Sequence, residues 1–443
     1  MKKILAIIAV IVCIAGGAVA ILLAGGMIGT GKTAGGTADK TKESGSPTAG
    51  QQEVGEQTID NTQSKEKATE ITVGETTESA TEKTVKASAE NEKEDATAKL
   101  VEKTLEDMNI HDKVCQMMFV TPEELTGEDD VTVAGEATEQ ALKKYPVGGI
   151  IYFAHNFDTV DQTREMIDNT QKYSHIGLFI ATDEEGGMVN RLMDTLGTTY
   201  IDSMYEYKDQ GTETAYENAR TIATDMSGLG FNLDFAPVAD VWSNPDNTVI
   251  GERAYSDDYS QAAELVSSAV KGFADGGVIC TLKHFPGHGD TEEDSHYGSA
   301  YVNRTRQEIM ADEMQPFKAG IDAGAELVMV GHLTVPDIDE LPATLSHKIA
   351  TDMLRGDMGF EGVAITDSME MESITDNYGV GDSAVMAVQA GMDMLLQPAD
   401  LESAVSAIEA AVENGDITEN RIDESVRRIL TIKAERGLLT SSR

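Results

Sequence analysis

The chain holds only three cysteines, Cys13, Cys115 and Cys280, and all three lie in apolar runs. A disulfide-built scaffold is thereby excluded, and Cys115 and Cys280 are expected as small buried side chains. Basic residues are also in short supply: 34 Lys and Arg face 77 Asp and Glu, a net charge of −43. That balance argues against nucleic acid as a partner and against adhesion of the folded part to an anionic membrane. No Gly-x-Gly-x-x-Gly follows the first expected strand, and no Gly-x-Ser-x-Gly elbow surrounds Ser295 or Ser368. The first absence weakens a dinucleotide-binding sheet and the second a serine hydrolase.

One long uncharged apolar run is present, from Ile4 to Ile28, preceded by Lys2 and Lys3. It is about long enough to cross a bilayer. Ala18-Val19-Ala20 offers a small-x-small cleavage site, but the apolar character continues beyond it, which favours an anchor over a cleaved signal peptide. Either way the remainder is expected outside the cytoplasm, membrane-anchored or secreted, touching the membrane only through this segment. Residues 29–96 are Thr, Ser, Gly, Glu and Lys with scarcely an aromatic, a composition that cannot offset chain entropy by burial. They read as a flexible linker, and 97–443 as a single large domain.

In that domain apolar runs alternate with amphipathic stretches. The runs are Gln116 to Val120, Gly148 to Phe153, Gly177 to Thr182, Asn232 to Ala236, Val278 to Leu282, Glu326 to Val330, Gly362 to Thr366 and Met392 to Leu396. Helices are expected at Leu100 to Met108, Gln162 to Ser174, Thr212 to Leu229, Ser260 to Asp275, Arg306 to Gly324, Ser346 to Gly359, Gly381 to Gly391, Leu401 to Asn414 and Glu419 to Arg436. Continuous apolar strands between helices indicate a parallel sheet covered on both faces. Eight of them predict an α/β fold, a single (β/α)8 barrel of the TIM type; a doubly wound open sheet is the alternative.

The polar residues are placed as a barrel enzyme would place them. Asp183 and Arg191 follow the third strand, Asp240 and Arg253 the fourth, Lys283 to His296 the fifth, His332 the sixth and Asp367 the seventh. All stand at C-terminal strand ends, the catalytic face of such barrels. The densest stretch is Lys283-His284-Phe285-Pro286-Gly287-His288-Gly289-Asp290, continuing to Asp294-Ser295-His296, with three of the chain's eight His. Pro286 and the glycines predict an irregular loop. His284, His288, Asp290, Asp294 and His296 are metal-ligand types, but such spacings converge reliably only on a regular strand or helix.

Asp367 suits a carboxylate nucleophile that attacks a sugar's anomeric carbon, or, more plainly, a helix cap. His296 has the near-neutral pKa that a proton donor to the leaving oxygen needs, and Asp294 is placed to fix its tautomer. Lys283, His284, Arg191, Arg253 and Asp183 are candidate donors and acceptors for sugar hydroxyls, since a carbohydrate ring needs several fixed partners.

These residues bring the chain to a resemblance. Lys283 to Asp290 with Asp294-Ser295-His296 resembles the signature of glycoside hydrolase family 3, in its β-N-acetylglucosaminidase branch. Supporting segments are Val147 to Ile151, Asp183-Glu184-Glu185-Gly186-Gly187, Leu229 to Val241, Asn244-Pro245-Asp246-Asn247 and Ile365-Thr366-Asp367. The resemblance, spanning about Leu105 to the C-terminus, implies a retaining exo-β-N-acetylglucosaminidase. Asp367 would be the nucleophile and His296 the acid/base, assisted by Asp294. Asp183, Arg191, Arg253, Lys283 and His284 would hold the terminal N-acetylglucosamine, with no cofactor and no metal.

Peptidoglycan fragments are the expected substrate and a monomer the expected state. Met188 stands where the family often has Arg, and Ser368 where it often has a second Asp. A β-glucosidase or β-xylosidase of the same family, a non-catalytic wall-binding protein and a metal-dependent hydrolase are the alternatives. Water and phosphate both remain open as acceptors.

Overall fold

The computed structural model describes residues 94–291, 294–296 and 298–440. The expected anchor over 1–28 lies outside these residues, as does the linker up to residue 93. The described chain opens with a helix over 94–107. No helix among the described residues is long and apolar enough to cross a membrane.

Eight short parallel strands form the expected ring: β1 (Met118–Val120), β2 (Gly149–Ile151), β3 (Phe179–Thr182), β4 (Leu233–Asp234), β5 (Ile279–Phe285), β6 (Leu327–Val330), β7 (Val363–Thr366) and β8 (Leu395–Leu396). Every residue in them is buried, which is why the sequence shows unbroken apolar runs and no alternation. The register advances from Phe119↔Gly149 through Ala181↔Leu233 to Val328↔Ala364, and β8 returns to β1 at Met118↔Leu395. Phe119 and Phe235 meet across the lumen with ring centroids 5.3 Å apart, so the interior is packed and no pore runs through it.

The junction of β7 with β8 is different. A single bridge, Ile365↔Met394, joins them, with the Asp393 and Met394 N–H groups both donating to the Ala364 carbonyl. Side chains complete it. The Thr366 hydroxyl accepts from the Leu396 N–H at 3.0 Å, and the buried Asp393 carboxylate accepts from the Ala364 N–H at 2.9 Å, from Ser425 at 2.7 Å, and from Arg355 and Arg428.

Around the ring run α1 (Val160–Tyr173), α2 (Thr212–Leu229), α3 (Tyr259–Gly276), α4 (Arg306–Ala311), α5 (Met314–Asp322), α6 (Val380–Ala390), α7 (Leu401–Asn414) and α8 (Glu419–Glu435). Side-chain caps start several of them: Thr159 and Gln162 form a reciprocal box, and Asp258, Asp400 and Thr418 each accept an N–H of the first turn. Helices α2 and α3 pack backbone to backbone. A Cβ on Gly272 would lie 2.3 Å from the Tyr216 carbonyl oxygen.

Three elements differ from expectation. The stretch before β1 is helical over Ile110–Gln116, because the Asn109 side chain caps it by accepting the Asp112 N–H. The single helix expected over Arg306 to Gly324 is two, broken at Asp312 and Glu313, since Pro316 has no N–H to give the Asp312 carbonyl. Strand β5 runs three residues further than the apolar run, because the Lys283 carbonyl accepts the Ala239 N–H and Phe285 pairs with Val330. Lys283 and His284 are therefore strand residues, which gives them fixed directions at the mouth. A small ribbon that the sequence does not announce, Ala300–Tyr301 against Leu333–Thr334, sits beside the ring.

Candidate active site

The C-terminal mouth is organised by buried charge. The Glu185 carboxylate takes a two-pronged bond from Arg253, 2.8 Å on each oxygen, and a 2.6 Å contact from the Lys283 ammonium. Lys283 also donates to Asp183 at 2.9 Å, and Arg191 stands 3.9 Å from the other Asp183 oxygen. Burial alone would push the Glu185 carboxyl up, but the charges of Arg253 and Lys283 outweigh it and hold it well below the usual range. Burial works against the charge on Lys283 in the same way, and Asp183 and Glu185 reverse it and raise its pKa. An uncompensated charge here would be costly, so the row Arg253, Glu185, Lys283, Asp183 stands or falls as a unit. Asp183 and Arg191 are its partly open end, with Arg191 over the Phe153 ring at 5.8 Å.

A second carboxylate, Asp240, holds the other wall. One of its oxygens accepts both the backbone N–H (3.0 Å) and Nδ1 (2.7 Å) of His284, and the other accepts the His288 N–H at 2.7 Å. Nδ1 is fixed on Asp240, and among the described residues the Nε2 of His284 makes no hydrogen bond. Beside it, Asp367 follows β7, its N–H bonded to the Val330 carbonyl and its Oδ1 accepting the Ser368 N–H at 2.8 Å. Burial tends to raise the Asp367 pKa, but the nearby imidazoles of His284, His332 and His296, with the Ser368 N–H, bring it below the ordinary carboxylate value. His332 meets the Thr344 hydroxyl through Nδ1 at 2.7 Å and donates from Nε2 to the Ser368 carbonyl at 2.8 Å, and burial lowers its pKa. Ser368 thus touches Asp367 through its backbone N–H and His332 through its carbonyl.

The loop after β5 supplies the third part. The Asp294 Oδ1 accepts the backbone N–H of His296 at 2.9 Å and its Nδ1–H at 2.7 Å. The His296 side chain is 57% exposed, and among the described residues its Nε2 makes no hydrogen bond. Among the described residues no hydrogen bond joins His296 to Asp367, although the imidazole is near enough to act on the Asp367 charge. His288 is turned inward: Nδ1 meets the Thr291 hydroxyl at 2.9 Å and Nε2 the Ser295 hydroxyl at 3.0 Å. Burial pushes its pKa down to about 4.

Every predicted site residue therefore lies at this mouth. Asp183, Lys283 and Arg253 are joined through Glu185; Arg191 flanks Asp183; His284 adjoins Asp367; Asp294 and His296 form a pair. The metal-ligand candidates do not converge, since His288 spends both nitrogens on hydroxyls, and His284 and His296 each spend Nδ1 on a different carboxylate. Ser295 resembles a serine nucleophile beside a base, but at 1% exposure it is shut away from the surface.

Glu185 is the residue that the sequence reasoning passed over, together with the anchoring roles of Asp240 and His332. The only signal was its place in Asp183-Glu184-Glu185, where Glu184 turns away to cap the backbone N–H groups of Arg191, Leu192 and Met193. Met188 sits at the tip of a tight hairpin, 65% exposed.

An ionised Asp367 with imidazoles near it, on the same mouth as the charged row Arg253, Glu185, Lys283 and Asp183, fits a glycoside-cleaving barrel. The family model for the glycosyl hydrolase family 3 N-terminal domain matches residues 109–432, and the chain belongs to that family. It is 33% identical over 319 residues to a β-hexosaminidase of Idiomarina loihiensis, covering 71% of this chain and 92% of that one. Over 329 residues it is 33% identical to β-hexosaminidase A of Pseudoalteromonas piscicida, covering 67% of this chain but only 54% of the relative. A family 3 β-N-acetylglucosaminidase from Paenibacillus sp. str. FPU-7 superposes with a TM-score of 0.70 at 38% identity, over 76% of this chain and 64% of that one. The expected family, its β-N-acetylglucosaminidase branch and the barrel are borne out.

Proposed function

We propose that this chain is a retaining exo-β-N-acetylglucosaminidase that removes non-reducing terminal N-acetylglucosamine from β-linked glycans. One observation carries the reading: a carboxylate held ionised at the end of β7 faces the loop on which Asp294 fixes the His296 tautomer. The relatives named as β-hexosaminidases support the choice of sugar. In the first step an Asp367 oxygen bonds to the anomeric carbon while the bond to the leaving oxygen breaks, and His296 Nε2–H gives that oxygen its proton. In the second, neutral His296 takes a proton from water as the water oxygen attacks the anomeric carbon and releases Asp367. Asp294 stabilises the imidazolium between turnovers.

Two variants test the roles. Asp367→Ala is expected to lose roughly 10^3-fold or more in kcat/KM on every substrate. His296→Ala is expected to lose about 10^2-fold on an N-acetylglucosamine disaccharide, yet little on a dinitrophenyl glycoside, whose leaving group needs no proton. Equal loss on both substrates, or inversion of the anomeric centre by NMR, sinks the mechanism.

Peptidoglycan fragments are the natural substrate in this reading, and the domain works as a monomer outside the cytoplasm. The apolar run Ile4 to Ile28 supports the location.

A further inference from the structure

Gly287 to Thr291, the first half of the loop after β5, is fastened to the segment after β4. The Asn244 N–H donates to the Gly289 carbonyl at 3.1 Å, and the Asn247 amide donates to the carbonyls of His288 (2.8 Å) and Thr291 (3.1 Å). Asn247 is itself locked, its Oδ1 accepting the N–H groups of Val249 and Ile250. At Gly289 the fit is so close that a Cβ would stand 1.7 Å from the Val241 carbonyl oxygen. The second half, with Asp294, Ser295 and His296, carries the proton donor. Ser295 Oγ bonds to His288 Nε2 at 3.0 Å and so ties this half to the fixed one.

We infer that His288 is a positioning residue for the acid/base step: it holds the Ser295 hydroxyl and thereby sets where the adjacent His296 presents its Nε2. The hydrogen positions agree. The Thr291 hydroxyl lies 3.1 Å from the His288 carbonyl and donates to it, so its oxygen accepts His288 Nδ1–H, and Nε2 is left to accept from Ser295. Its own N–H is on Asp240, the carboxylate that also aims His284 at Asp367, and the His284 and His288 rings meet edge to face at 5.9 Å. One carboxylate and one buried imidazole thus link the sugar-binding wall to the proton donor. Misplacing a general acid by about 1 Å is enough to cost on the order of 10^2-fold in rate.

This inference rests on His296 being the acid, and the test separates the two. His288→Leu and Ser295→Ala remove the same bond from opposite sides, and His288→Gln keeps a donor and an acceptor. Both deletions are expected to lower kcat/KM about 10^2-fold on an N-acetylglucosamine disaccharide and less than about threefold on a dinitrophenyl glycoside, with kcat falling and KM little changed. His288→Gln is expected to recover at least part of the loss.

Equal losses on both substrates, or none on either, in a folded Ser295→Ala variant overturn the inference, and that variant decides the matter if His288→Leu does not fold. His296→Ala run alongside distinguishes the failures. If it too shows no leaving-group dependence, the assignment of the acid is what fails; if it does and Ser295→Ala does not, the inference fails alone.

Discussion

At the scale of single residues, the molecule spends buried charge in two different ways. Glu185 and Lys283 are kept ionised by one another and by Arg253. Lys433, at the opposite end of the barrel, has no carboxylate partner among the described residues: its ammonium meets the Gln116 side-chain oxygen at 2.8 Å and lies 5.0 Å from the Phe179 ring centre. Burial pushes its pKa down to about 7. The unfolded chain, with an ordinary lysine, therefore holds the extra proton between about pH 7 and 10, and the Lys433 contribution to stability rises across that window.

A Lys433→Met variant removes this dependence. Its stability relative to the wild type, by urea unfolding, is expected to be about 3 kcal/mol more favourable at pH 7 than at pH 9.5. An unchanged difference between the two pH values would show that the amine is not held neutral. Neither Lys433 nor Glu185 was legible as a special residue in the sequence. Each sits in a helix or turn among many charged neighbours, and only the fold decides which charge goes inside.

At the scale of elements, the strands were the easiest to read. Full burial leaves apolar runs such as Val278 to Leu282, and their number and alternation with helices give the barrel. The boundary of β5 was missed because Lys283 and His284 look like loop residues, whereas backbone bonds to Ala239 and Phe285's pairing with Val330 keep the strand going. The loop beyond it was legible as a loop from Pro286 and its glycines, but not its fastening, which depends on Asn244 and Asn247, some 40 residues upstream. Gly289→Ala tests that fastening. The new methyl group meets the Val241 carbonyl, and we expect a loss of about 1–3 kcal/mol of stability, with at least a tenfold fall in kcat/KM on a disaccharide. If melting and kinetics both match the wild type, the loop is not seated as described.

At the scale of the whole molecule, the family match over residues 109–432 accounts for the catalytic barrel, and the run Ile4 to Ile28 carries the proposal of where it works. The full chain is expected in salt-washed membranes and open to protease added to intact cells; finding it in the cytosol would remove the extracytoplasmic reading. Composition alone had little to say about substrate, because a net charge of −43 is a statement about solubility and repulsion, not about a sugar.

The ring of strands, meanwhile, is not equally joined all the way round. Where β7 meets β8 the ladder shrinks to one bridge, and Asp393 with its arginines and Ser425 takes over. The barrel is in effect a bracelet with a clasp. The clasp lies on the far side of β7 from β6, so β7 carries Asp367 between a firm neighbour and a fastened one. Any slackness at the clasp would be felt first as wander of Asp367, the proposed nucleophile.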